Sequence, residues 1–215
     1  MMRLSVLASG GGSNLQAILD GCANGSIPAE VALVVCNVPG AGAVERAKQA
    51  GVPCLVLPHK SAPSREVYDD RLVQELQKAR VELVCLAGFM RLVTPVLLRA
   101  FENRILNIHP ALLPAYPGMH GVRQAISGGA RISGCTVHLV DEGTDSGPIV
   151  MQAAVPVLDG DTEETLAARI LAQEHRLYPR AISLFAEGRV RIDGRRVRID
   201  APNDPGRALV SPGPP

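Results

Sequence analysis

"RLSVLASGGGSNLQAIL", residues 3–19, decides the fold. An almost purely aliphatic run ends at Ala8. Three glycines follow, and then Leu15, Ile18, Leu19 and Cys22 recur at helical spacing. A run that is apolar on both of its faces reads as a buried strand, and the glycine turn hands it to a helix that packs back on the sheet.

The same unit repeats down the chain. "EVALVVCN" (30–37) reads as a second strand and "GAVERAKQAG" (42–51) as a second helix ending on Gly51. "PCLVLP" (53–58) is a short third strand, and "SREVYDDRLVQELQKAR" (64–80) is an amphipathic helix capped by Ser64. "VELVCLAGF" (81–89) is a fourth strand. "TPVLLRAFEN" (94–103), with Pro95 in its first turn, is a helix, and "RILNIH" (104–109) is a fifth strand. Then the pattern changes. "ISGCTVHLV" (132–140) and "PIVMQAAVPV" (148–157) read as mixed or antiparallel strands added at one edge. "DTEETLAARILAQEHRLYPRAISLFAEG" (161–188) is one long helix with a kink expected at Pro179, and "RVRIDGRRVRI" (189–199) is a hairpin turning on Asp193-Gly194. The expected fold is α/β and Rossmann-like: a mostly parallel twisted sheet with helices on both faces and antiparallel additions at one edge. Residues 1–200 are expected to form a single domain. The proline-rich segment 201–215 has no periodicity and is expected to be disordered.

Composition narrows the function. Aromatic residues make up 3 % of the chain and Trp is absent, so the core has to be aliphatic. The net charge is +1 with no block of one sign, which argues against nucleic acid as a partner. The five arginines of 188–200 alternate with Val and Ile, the pattern of a wet hairpin face. The five cysteines (Cys22, Cys36, Cys54, Cys85, Cys135) include no C-x-x-C pair, so neither a disulfide framework nor a metal site is expected, and a reducing cytoplasmic setting is. The apolar run at the N-terminus breaks after Ala8, and no stretch is long enough to span a membrane.

Ligands of open parallel sheets bind beyond the carboxyl ends of the strands. Three unusual loops stand at such ends. "SGGGSN" (9–14) lets backbone N–H groups approach an anion at a helix N-terminus. Leu15 stands where a dinucleotide fingerprint needs its third glycine, and no lysine is present, so main chain and helix dipole are expected to hold a single phosphate. "AGFMRLVTP" (87–95) places Met90, Leu92 and Val93 where they can line an apolar slot for a flat heterocycle, although an ordinary crossover reads the same way. "NIHPALLPAYPG" (107–118) carries Asn107 and His109 on one strand face, ahead of a loop stiffened by Pro110, Pro114 and Pro117. "VDEGTDSGPI" (140–149) supplies Asp141, Glu142 and Asp145 in a glycine-flanked loop. An amide donor, an imidazole and a carboxylate suit acyl transfer without a nucleophilic side chain.

Together "LASGGGSNLQAI", "LAGFMRL", "LNIHPALLPAYPG", "HLVDEGTDSGPIVMQ" and "ARILAQEHRLYP" resemble the phosphoribosylglycinamide formyltransferases of the folate-dependent formyltransferase superfamily, over residues 2 to 190. The resemblance implies transfer of the formyl group of 10-formyltetrahydrofolate, a co-substrate, to the amine of 5'-phosphoribosylglycinamide in purine biosynthesis. It implies catalysis by Asn107, His109 and Asp145. It also implies that Gly12, Ser13, Asn14 and Glu174 bind the substrate. The folate is implied to lie against Arg65, Met90, Arg91, Leu92, Val93, Asn107 and the loop of Asp141, Glu142, Gly143, Thr144 and Asp145. No metal, nucleic acid or membrane partner is implied, and the protein is expected to be a monomer or a homodimer. Two positions depart from the family pattern: Ala111 stands where Ser is frequent, and Val122 where many members have a second His. Methionyl-tRNA formyltransferase is expected to carry a further basic C-terminal domain, and formyltetrahydrofolate hydrolase a further N-terminal one. A binding module without catalysis has no need of the Asn107, His109 and Asp145 set.

Overall fold

The computed structural model describes residues 1–200 and Ser211. The segment expected to be disordered lies, Ser211 apart, outside the described residues. In chain order the elements are β1 (Met2–Ala8), α1 (Ser13–Ala23), β2 (Ala29–Cys36), α2 (Gly42–Gln49), β3 (Cys54–Val56), α3 (Arg65–Lys78), β4 (Leu83–Leu86), α4 (Pro95–Ala100), β5 (Ile105–His109), α5 (Gly121–Ser127), β6 (Ile132–Leu139), β7 (Ile149–Pro156), α6 (Glu163–Ala186), β8 (Val190–Asp193) and β9 (Arg196–Ile199).

Seven strands form one sheet in the order β3-β2-β1-β4-β5-β6-β7. The first five are parallel, and β6 and β7 run antiparallel at the edge beyond β5. The parallel strands are apolar on both faces because helices cover both. Leu15 and Ile18 of α1, Ala43 and Ala47 of α2, and Ile170 and Tyr178 of α6 close one face. Tyr68, Leu72 and Leu76 of α3 and Leu97 of α4 close the other. Each of the Leu and Ile side chains, once fully buried, contributes roughly 1.5–3 kcal/mol. The two buried tyrosines keep their hydroxyls satisfied. Tyr68 donates to the Leu57 carbonyl at 3.1 Å, and the Tyr178 oxygen lies 3.0 Å from the carbonyls of both Leu86 and Leu106.

Ser64 caps α3 as expected, accepting from the Val67 N–H. Helix α6 runs unbroken through Pro179. The β8–β9 hairpin turns its arginines to solvent and packs Ile192, Val197 and Ile199 on the core. Its turn falls one residue later than expected. Asp193 pairs with Arg196, so the two loop residues are Gly194 and Arg195, and Gly194 takes the positive φ of 56° that the turn requires. Helix α5 was not expected. It is seven residues long, with only Gly121, Val122 and Ala125 buried, too few to show a period.

Strand order reverses on either side of β1, with β2 to one side and β4 to the other. The loops after β1 and β4 therefore diverge and leave a crevice at the carboxyl edge of the sheet.

Candidate active site

The crevice begins with main chain. Gly12 is the N-cap of α1 with φ 74° and ψ 31°, left-handed values that favour glycine. A Cβ on Gly12 would also lie 2.9 Å from Cα of Ala43. Side-chain hydrogen bonds tie the loop to its neighbours. Ser9 donates its hydroxyl to Asn37 Oδ1 at 2.6 Å and accepts from the Met90 N–H at 2.9 Å. The Ser9 N–H donates to the Gly88 carbonyl at 3.1 Å. The result is a cavity of about 260 Å³ lined by residues 9–14 with Ala87, Gly88 and Met90. At its far wall Asn14 Nδ2 donates to Glu174 Oε2 at 2.8 Å, and both residues are buried. Burial pushes the Glu174 carboxyl above its ordinary range, against the pull of the Asn14 amide. Asn14 Oδ1 is buried without a hydrogen-bond partner among the described residues.

The second part is made of side chains. Asn107 and His109 stand two residues apart on β5, and Asp145 reaches them from the β6–β7 loop. Asp145 Oδ2 lies 3.3 Å from His109 Nδ1 and accepts from the Gly118 N–H at 2.8 Å. Asp145 Oδ1 lies 3.5 Å from Asn107 Nδ2. Half-burial pushes the Asp145 carboxyl up. The contact with the His138 ring, the Gly118 N–H and the charge of His109 outweigh burial and hold it below the ordinary carboxylate range. The other ring nitrogen of His109, Nε2, is 2.9 Å from the Tyr116 carbonyl. Both ring nitrogens thus face acceptor oxygens.

His138 completes the cluster, and sequence reasoning missed it. It lies directly across from Asn107 in the β5–β6 ladder. Its Nδ1 donates to the Leu139 carbonyl at 2.8 Å, which leaves Nε2 as the acceptor for Asn107 Nδ2 at 3.0 Å. One amide N–H of Asn107 is thereby fixed. The other faces Asp145 at a long distance and can turn to a substrate oxygen. The signal in the sequence was a lone imidazole in the apolar run "TVHLV", and only the strand register makes it a partner.

The proline loop after β5 is pinned as well as stiffened. Thr136 Oγ1 donates to the Ala111 carbonyl at 2.7 Å and accepts from the Leu113 N–H at 3.0 Å. Gln152 Nε2 donates to the Leu113 carbonyl at 2.8 Å. Backbone strain concentrates here, since Tyr116, His120 and Asp145 are three of the five non-glycine residues with positive φ among the described residues. The departing residues Ala111 and Val122 are both buried apolar contacts.

The segment expected to line a slot for a flat heterocycle follows β4. Met90 and Leu92 are 74 % and 58 % exposed, an uncovered apolar lip. Arg91 turns back, its guanidinium 4.2 Å from the centre of the Tyr68 ring, and Val93 is half-buried beside it. The Thr94 N–H anchors the end of the segment on Asp69 Oδ2 at 2.6 Å. In the β6–β7 loop Asp141 Oδ1 accepts from Ser146 Oγ at 2.6 Å and from the Gly143 N–H at 3.1 Å, a turn that leaves Glu142, Gly143 and Thr144 exposed. Arg65 is exposed in the first turn of α3, and no hydrogen bond joins it to the cluster among the described residues.

The geometry agrees with three comparisons. A family model described as formyl transferase matches residues 2–182. The phosphoribosylglycinamide formyltransferase of Escherichia coli (strain K12) is 44 % identical over 199 residues, 93 % of this chain and 94 % of that protein. The trifunctional purine biosynthetic protein adenosine-3 of Drosophila pseudoobscura pseudoobscura is 50 % identical over 204 residues, and the chain spans only 15 % of its length. The crystal structure of glycinamide ribonucleotide transformylase 1 from Symbiobacterium toebii superposes with a TM-score of 0.92 at 58 % identity, covering 93 % of this chain and 94 % of that one.

Proposed function

The chain belongs to the formyl transferase family, and from that premise we propose that it transfers the formyl group of 10-formyltetrahydrofolate to the amine of 5'-phosphoribosylglycinamide in purine biosynthesis. One observation carries the reading: Asn107, His109 and Asp145 meet in one cluster, joined by a hydrogen bond and an ion-pair contact, beside a lysine-free anion cradle. The cradle of Gly12, Ser13 and Asn14 takes the substrate phosphate on main-chain N–H groups, and Glu174 takes ribose hydroxyls. The apolar lip of Met90 and Leu92 receives the pterin edge of the folate, whose formyl group then lies over β5. A cytoplasmic setting goes with this reading.

The folate supplies the activated formyl group. As the substrate amine attacks the formyl carbon, negative charge develops on the formyl oxygen. Asn107 turns its free N–H to that oxygen while His138 holds the other. His109 stabilises the same charge through its positive ring at short range in a desolvated site. Asp145, ionised at neutral pH, holds that ring and passes on, through water, the proton that the attacking amine gives up. The new N–C bond forms, the bond from the formyl carbon to the folate nitrogen breaks, and the proton ends on that nitrogen.

The test is an assay of purified protein with both substrates. Formylated product should appear in step with tetrahydrofolate. Release of formate at the same rate without the amine would replace the proposal with hydrolysis.

A further inference from the structure

All three carbonyls of the glycine loop are held from behind. The Gly10 carbonyl accepts from the Ala43 N–H at 3.1 Å and the Gly12 carbonyl from the Gln16 N–H at 2.9 Å. The Gly11 carbonyl accepts from Arg46 Nε at 2.8 Å, and Arg46 Nη1 donates to Gln16 Oε1 at 3.1 Å. In a trans peptide, C=O and N–H point in opposite directions, so a carbonyl held on the α2 side aims the following N–H away from α2. The N–H groups of Gly11, Gly12, Ser13 and Asn14 have no acceptor within the chain among the described residues. These are the donors that line the cradle.

Arg46 differs from the other two anchors because it is charged. No carboxylate lies within ion-pair distance of it among the described residues. Its charge is felt nearby: burial first, and then Arg46, lowers the pKa of His175 across the α1–α6 groove. A cation on the Gly11 carbonyl also polarises the peptide unit whose other end is the Gly12 N–H, and hydrogen bonds in such a chain strengthen one another.

We propose that Arg46 is the positioning residue of the phosphate cradle. It clamps the Gly11–Gly12 peptide with its N–H toward the anion and supplies from behind the loop the positive charge that the loop itself lacks. This rests on the reading of the cradle as a phosphate site. It adds a side-chain charge to the main chain and helix dipole of the cradle.

The experiment compares wild type, Arg46→Met and Arg46→Lys, with two readouts. The first is KM and kcat for phosphoribosylglycinamide and for its unphosphorylated ribonucleoside. The second is binding of inorganic phosphate, followed by phosphorus NMR. Arg46→Met should raise KM for the phosphorylated substrate and weaken phosphate binding by at least about tenfold each, equivalent to about 1.4 kcal/mol. It should change kcat far less, and it should leave kcat/KM for the ribonucleoside near the wild-type value. Arg46→Lys keeps the charge but loses the Nε and Nη1 fork that clamps the peptide, so its losses should lie clearly between those of wild type and Arg46→Met. Equal losses with both substrates, or an Arg46→Lys protein as weak as the Met variant is expected to be, would overturn the proposal. If Arg46→Met does not fold, Arg46→Lys and Arg46→Gln divide the question in the same way: the first keeps part of the phosphate binding and the second loses it. If wild type binds phosphate but transfers no formyl group, the proposed function fails while the role of Arg46 is still decided by the phosphate titration.

Discussion

The glycine cradle and the Asn107–His109–Asp145 cluster occupy the same edge of one sheet and are made of opposite materials. The cradle is main chain. Its donors come from consecutive residues, its shape depends on one left-handed glycine, and its supports lie on α1 and α2. The cluster is side chain. Its members come from β5, β6 and the β6–β7 loop, and each is oriented by another: His138 by Leu139, Asn107 by His138, and His109 by Tyr116 and Asp145. Main-chain sites bind charge that is present throughout the reaction, so they affect substrate affinity. Side-chain networks can be tuned for charge that appears only in the transition state, so they affect turnover.

The sharpest way to break this division is Asp145→Asn. It keeps shape and removes the charge that holds His109, and kcat should fall by ~100-fold or more, the usual scale for a positioned acid–base group. KM for either substrate should move far less, and a loss confined to KM would erase the contrast. The same variant has a stability signature. The wild-type carboxyl is held below its ordinary range. Its pairing therefore stabilises the fold above the unfolded value of about 3.9 and is lost as pH falls through the lower folded value. In acid unfolding the Asn variant should lack that part of the decline.

Gly12→Val tests the other side. The left-handed φ costs a β-branched residue about 1–2 kcal/mol, and the contact with Ala43 adds to this. KM for phosphoribosylglycinamide should rise by at least ~10-fold while the folate dissociation constant holds, because affinity changes tenfold for every 1.4 kcal/mol. Equal loss of both affinities would show that the cradle and the slot are one unit.

His138→Phe sharpens the picture within the cluster. It keeps ring volume and frees the Asn107 amide. Turnover should drop by ~5-fold, the equivalent of about 1 kcal/mol for one lost hydrogen bond. His138→Gln, which can accept from the amide, should recover part of that. If both variants turn over like wild type, Asn107 needs no help from across the strand.

The smallest effect falls on Glu174, the buried partner of Asn14 behind the cradle. Its folded pKa is raised, so its contribution to stability is present below the unfolded value of about 4.3 and is lost as pH rises through the folded value. At neutral pH the buried carboxylate is a cost. Glu174→Gln should raise Tm, by ~2–4 °C for each kcal/mol relieved in a chain of this size. The gain should shrink in acid, and substrate KM should worsen. An unchanged Tm across pH would mean that the Asn14 hydrogen bond already offsets the burial.

Local patterns in the chain carried most of the fold. Aliphatic runs separated by glycine turns and helical spacing can only be buried parallel strands and their covering helices, because each pattern follows from which faces meet water. Asn107 and His109 were legible because two functional side chains on one strand face need only the two-residue period. Gly12 was legible because a left-handed turn before a helix favours glycine. Partners far apart in sequence were not legible. His138 becomes functional only because β6 pairs with β5 in a register that sets it opposite Asn107, and a slip of one residue would turn it to the other face. Arg46 became a support only when α2 packed against the loop, and α5 was too short to show a period. By itself the sequence determined the class of fold and the chemical types at the site, since propensity, periodicity and turn geometry act over a few residues. Strand register, the partners of each imidazole and the charge behind the glycine loop were decided by the tertiary structure, because each depends on a distance between residues that the chain order does not contain.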